Sequence, residues 1–99
     1  MNMHNPAHPG VLLAEDSLPA LGISGRDLAI HLSYPEDLLL EVLQARSRLD
    51  ADLAVRLEQA GIGTAYTWLA MQMSYDLWQA QHRLQPTIQR LVSDSHSDC

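Results

Sequence analysis

Apolar residues recur at helical spacing through most of this chain, and no stretch alternates residue by residue as a half-buried strand would. The longest such pattern, 65–84, carries two stripes. Trp68, Met71, Tyr75 and Trp78 recur at +3, +4, +3, and Leu69, Met73, Leu77, Ala80 and Leu84 at +4, +4, +3, +4. Capping and breaking residues cut the rest into shorter pieces. A first helix is predicted over 11–18, stopping before Pro19. Ser24 with Asp27 reads as a capping box that opens 25–32. Ser33-Tyr34-Pro35-Glu36 reads as a second one, with proline at the first helical position of 35–45. Asp50 caps 51–60, which Gly61 and Gly63 end. Thr64 caps the last helix, and Pro86 closes it. The pattern predicts an all-α chain of five helices, one domain over 1–92, and a tail over 93–99 too polar to order itself.

Two of these helices, 25–32 and 35–45, are separated by only two or three residues. That is the spacing of a helix-turn-helix, whose second helix enters the major groove of DNA. A plain five-helix domain with an incidental corner fits the same spacing. The doubled pattern of the last helix adds a second expectation. One stripe docks a helix on its own domain, so a second stripe calls for another partner, most simply a copy related by a two-fold axis. The predicted interface comprises Trp68, Met71, Tyr75, Leu77 and Trp78. A centrally buried helix is the alternative.

Charge and composition narrow the function. The chain has 99 residues, with six basic side chains, all arginine, against twelve acidic ones, for a net charge of −6. Affinity for nucleic acid comes largely from Lys and Arg on phosphates, so any DNA contact here rests on a local arginine patch. A single cysteine, Cys99, excludes an internal disulfide framework. No apolar run approaches the roughly 20 residues of a membrane span, and the expected location is the cytoplasm. His4 and His8 are separated by Pro6, which argues against a helix that would align them as ligands. The adjacent acids Glu15-Asp16 and Glu36-Asp37 would point about 100° apart on a helix. There is no glycine-rich phosphate loop, and the reading is a non-enzyme with no metal and no cofactor.

A set of residues carries a family likeness. His8-Pro9-Gly10 opens a short helix; then follow Leu21-Gly22-Ile23-Ser24, Leu28-Ala29, Leu32, Ala54, Arg56-Leu57, Trp68-Leu69, Gln72 and Tyr75-Asp76-Leu77-Trp78. From 8 to 78 without a gap, the chain resembles the HigA-type antitoxins of the XRE-like helix-turn-helix regulators. The resemblance implies a five-helix lambda-repressor-like domain with a long C-terminal helix. It also implies a homodimer, neutralisation of an RNA-cleaving toxin of HigB type, and repression of its own operon through operator DNA.

The likeness has departures. The family usually has glycine where this chain has Ser33, and Asn-Gly where it has Gln44-Ala45. With Leu39, Val42 and Leu43 facing inward, Asp37 and Glu41 fall on the opposite face, which should meet DNA. Glu36, Leu38 and Leu40 complete that outward surface, where relatives carry polar or basic residues. Two readings remain open. Arg26, Arg46, Arg48 and Arg56 grip phosphates while the recognition helix reads little, or the protein is a dimeric partner-binding scaffold with weak or lost DNA recognition.

Overall fold

The computed structural model describes residues 5–92, and the tail 93–99 with Cys99 lies outside them. Among the described residues there are five helices and no strand. Helix α1 covers 9–21 in three consecutive segments: an α-helix Pro9–Leu12, a π turn Leu13–Ser17 and an α-helix Leu18–Leu21. Then follow α2 (Gly25–Leu32), α3 (Glu36–Leu43), α4 (Ala51–Gln59) and α5 (Ala65–Gln81).

Local chemistry explains most of the boundaries. The capping box at α2 forms as expected: the Asp27 N–H donates to Ser24 Oγ at 3.0 Å and the Ser24 N–H to Asp27 Oδ2 at 3.3 Å. Asp50 Oδ1 accepts from the Leu53 N–H, and Thr64 Oγ1 from the Thr67 N–H. The first helix begins at Pro9 rather than 11 and α3 ends at Leu43 rather than 45; three further differences have a visible cause. The first helix does not stop before Pro19. The π turn lets the Leu18 N–H reach back to the Leu13 carbonyl, and Pro19 then sits in the first turn of a renewed α-helix, where its missing N–H costs nothing. Ser33 opens no capping box for α3; it closes α2 in a left-handed conformation, φ 54°, and Pro35 stands at the N-cap. Helix α5 ends at Gln81 rather than 84, because His82 and Gln85 turn their side chains onto the carbonyls of Trp78 and Ala80.

Leucines from the first four helices make most of the core: Leu13, Leu28, Leu39, Leu53 and Leu57 are sealed from solvent, with Leu49 from the α3–α4 loop, and α5 adds Trp68. Each such burial contributes about 1.5–3 kcal/mol. Helix α2 packs on α3, α4 on α5, and α1 bridges α3 and α5. The α1–α3 crossing is the closest. A Cβ placed on Gly10 would lie 1.8 Å from the Val42 carbonyl oxygen, so only glycine fits there. His8-Pro9-Gly10 is thus one device. His8 Nδ1 accepts from the Gly10 N–H at 2.9 Å, Pro9 occupies the first turn, and Gly10 admits the backbone of α3. The His8 ring lies edge-on to Tyr75 of α5, with centroids 4.9 Å apart. Burial holds its pKa below the ordinary imidazole value, against a backbone hydrogen bond with Ser47 that favours the charged form.

Candidate nucleic-acid interface

Helices α2 and α3 meet at a turn of three residues, Ser33, Tyr34 and Pro35. Helix α4 braces this corner from below. The Arg56 guanidinium donates to the Leu32 and Ser33 carbonyls, which the end of α2 leaves without helical partners. The same guanidinium lies 5.6 Å from the centre of the Tyr34 ring. The Tyr34 hydroxyl approaches Asp50 Oδ2 at 3.5 Å; burial, then the Asp50 carboxylate, raises its pKa and keeps it a protonated donor. Arg56, expected on phosphate, is therefore half-buried and engaged in holding the turn.

A second brace ties the α3–α4 loop to α5. Arg48 Nε donates to Asp76 Oδ2 at 2.7 Å, and Gln72 Nε2 donates to the other oxygen of that carboxylate at 2.9 Å. Gln72, fully buried, accepts from the Leu49 N–H at 2.8 Å. The charge on Arg48 is thus paired with Asp76. Arg26 in the first turn of α2 and Arg46 after α3 are exposed, and among the described residues neither makes a recorded ion pair.

Between those two arginines stands the outward face of α3. Leu39 and Val42 point into the core and Leu43 packs against it, as the spacing predicts. Glu36, Asp37, Leu38 and Leu40 are exposed, and Glu41 is half-buried. Glu36 and Asp37 occupy the first turn of α3, where a carboxylate complements the positive end of the helix dipole. Their presence therefore has a structural cause independent of any ligand. Leu40 leans with Leu43 over Gly25 at the start of α2. The chain leaves α3 through Ala45 at φ 61°, a left-handed residue at the position where glycine would be unstrained.

The last helix sorts its two stripes. Trp68 is buried and its indole donates to the Ile62 carbonyl at 2.6 Å. Met71 packs on the core, Tyr75 meets His8, and Trp78 is half-buried under the stacked ring of His82. Three of the five residues expected at a dimer contact, Trp68, Met71 and Tyr75, thus serve the chain's own domain, because His8, Ile62 and the core lie on that side. Leu77 faces outward with Tyr66 and Met73.

A tight two-helix corner, braced underneath and offering its second helix to solvent, defines a helix-turn-helix protein. No family model matches the chain. It is 36% identical to virulence-associated protein I of Dichelobacter nodosus over 74 residues, 75% of this chain and 68% of that one. An antidote protein of a plasmid maintenance system from Nostoc punctiforme superposes with a TM-score of 0.74 at 32% identity, covering 79% of this chain and 85% of the other. The Pseudomonas aeruginosa antitoxin HigA, solved with the higBA promoter, superposes with a TM-score of 0.69 at 26% identity, covering 84% and 99%. The chain belongs to this family of plasmid-maintenance antidote proteins, the helix-turn-helix antitoxins of HigA type. Among the described residues no helix is long and apolar enough to cross a membrane.

Proposed function

We propose that this protein is a cytoplasmic dimeric antitoxin that neutralises an RNA-cleaving toxin of HigB type and represses its own operon by binding operator DNA. The observation that carries the DNA reading is the exposed α3 behind a braced corner, in a family whose Pseudomonas aeruginosa member was solved with a promoter. Arg26 and Arg46 flank the outward face of α3 and grip the phosphates. Arg48 and Arg56 act indirectly, by fixing the loop and the turn that position those two. Glu36, Asp37 and Glu41 oppose the duplex, so the affinity is modest and falls as salt rises.

The dimer forms through the outer stripe of α5. Tyr66, Met73 and Leu77 are exposed on it, and an antiparallel pair centred on Met73 would bring Met73 onto itself. The acidic surface of α3 and the engagement of Arg48 and Arg56 favour a second reading, a partner-binding scaffold that has little hold on DNA. Titration of DNA from upstream of the gene at two salt concentrations separates the two. Binding at low salt that Arg26→Ala and Arg46→Ala each weaken on every sequence supports the operator reading. No binding at either salt concentration leaves the scaffold.

A further inference from the structure

Residues 44–50 have no regular structure, yet they carry Arg46 between α3 and α4. A connection of this kind is ordinarily the mobile part of a small helical domain. Here it is tied down residue by residue. The Arg46 N–H donates to the Glu41 carbonyl at 2.8 Å, which fixes the side of the loop nearest α3. Ser47 has a backbone hydrogen bond with the ring of His8, which lies edge-on to Tyr75. Arg48 Nε donates to Asp76 Oδ2, and the Leu49 N–H donates to Gln72 Oε1. The ties beyond Arg46 thus converge on one stretch of α5, residues 72–76, and on the ring packed against it.

The two ties on α5 are not independent. Gln72 and Asp76 are four residues apart, so they stand one above the other on the helix. The Gln72 amide has one acceptor oxygen and one donor nitrogen, whereas an ionised carboxylate only accepts. Asp76 Oδ1 therefore draws the Gln72 nitrogen to itself at 2.9 Å and leaves Oε1 for the Leu49 N–H. The other carboxylate oxygen takes Arg48. Asp76 so holds two adjacent loop residues, one directly and one through a buried amide. An asparagine at 76 has a single acceptor oxygen and cannot hold both donors. Both residues carry the family likeness, and neither lies on the helix-turn-helix.

We propose that Asp76 is a positioning residue for the DNA grip: through Arg48 and Gln72 it fixes the loop that presents Arg46 to phosphate. The inference rests on the proposed role of Arg46 as a phosphate contact. Its consequence is opposite in sign to plain electrostatics. Asp76→Asn removes a negative charge from a protein that approaches DNA, and it releases Arg48, so charge alone predicts tighter binding. Loss of the clamp predicts weaker binding, because Arg46 is then held from the α3 side only.

The test titrates a promoter duplex at low salt with wild type, Asp76→Asn, Arg46→Ala and the double variant, each checked for its fold by helical circular dichroism. Amide hydrogen exchange of the unbound proteins follows Leu49 beside Leu53, whose N–H is held by Asp50 instead. In Asp76→Asn, exchange should quicken at Leu49 and not at Leu53, and DNA binding should weaken by about threefold or more. Arg46→Ala should cost less in the Asp76→Asn background than in wild type, since a misplaced arginine has less to lose. Additive losses with faster exchange at both amides mean a merely destabilised fold. That result, unchanged exchange at Leu49, or binding by Asp76→Asn as tight as or tighter than wild type overturns the positioning role and leaves Arg46 on phosphate. A wild type that binds no DNA at low salt, or Arg46→Ala that binds as wild type does, overturns both.

Discussion

Gly10→Ala tests the closest approach in the fold. The added Cβ would stand 1.8 Å from the Val42 carbonyl oxygen and 2.7 Å from its carbon. Both are backbone atoms of α3, so no rotamer change relieves the clash. To reach ordinary contact at 3.4 Å, α1 and α3 must part. That separation would loosen Leu13 against Leu39 in the core and strain the His8 cap, whose Nδ1 lies 3.1 Å from the same Cβ. Overpacking that a core can absorb costs about 1–3 kcal/mol. A rigid backbone clash belongs at or above the upper end, about 3 kcal/mol. That corresponds to a fall in Tm of about 12 °C or more, at roughly 4–8 °C per kcal/mol for a domain of this size. Gly61→Ala is the matched control. Gly61 has φ 85° with nothing within 4 Å, so it carries only the left-handed penalty, about 1–2 kcal/mol. Thermal melts of the two variants beside the wild type decide the matter. If Gly10→Ala costs no more than Gly61→Ala, the tight α1–α3 crossing is not what requires glycine.

Ala45→Gly should raise Tm by a few degrees, because relief of the left-handed strain at φ 61° exceeds the extra chain entropy of glycine by up to about 1 kcal/mol; an unchanged or lower melting point would contradict this. Gln72→Leu keeps the volume but leaves the buried Leu49 N–H without its acceptor, so chemical denaturation should show a loss of about 1–3 kcal/mol. His8 makes stability pH-dependent. Its folded pKa is lowered, so the stability it contributes is complete above the ordinary imidazole range near 6.5. As pH falls through that value the unfolded chain takes up the proton first, and the contribution declines. The gap in urea midpoint between wild type and His8→Asn should therefore narrow from pH 8 to pH 5.5; a gap that widens on acidification would reverse the assignment.

The helices and their caps were legible where the rule is local. Ser24 with Asp27, Asp50 and Thr64 each find their partner three residues away, and all three caps form. The boundaries that were not legible depend on contacts distant in sequence or on an unusual turn. Pro19 reads as a stop unless the π turn before it is known. Ser33 reads as a cap for α3, and the brace on its carbonyl comes from Arg56, 23 residues on. The outward face of α3 followed from the spacing of Leu39, Val42 and Leu43. The roles of Arg48 and Arg56 did not, because a sequence lists positive charges without saying which are already paired. In α5 the pattern showed two stripes but not their directions. The inward one is fixed by Gln72 and by the His8 contact to Tyr75, neither of which is an apolar signal.

The claim at the centre of this account is that α3 docks in operator DNA against its own carboxylates, held by Arg26 and Arg46. Its most direct test compares wild type with Asp37→Asn/Glu41→Gln in titrations of the upstream promoter and of a scrambled duplex at low salt. Removing two like charges from the docking face should tighten binding to both duplexes by a similar factor, since neither change adds a base contact. Loss of promoter preference in the double variant would mean that an acid reads a base, as a carboxylate can at the cytosine N4 amine. Absence of binding by both proteins would contradict groove docking altogether.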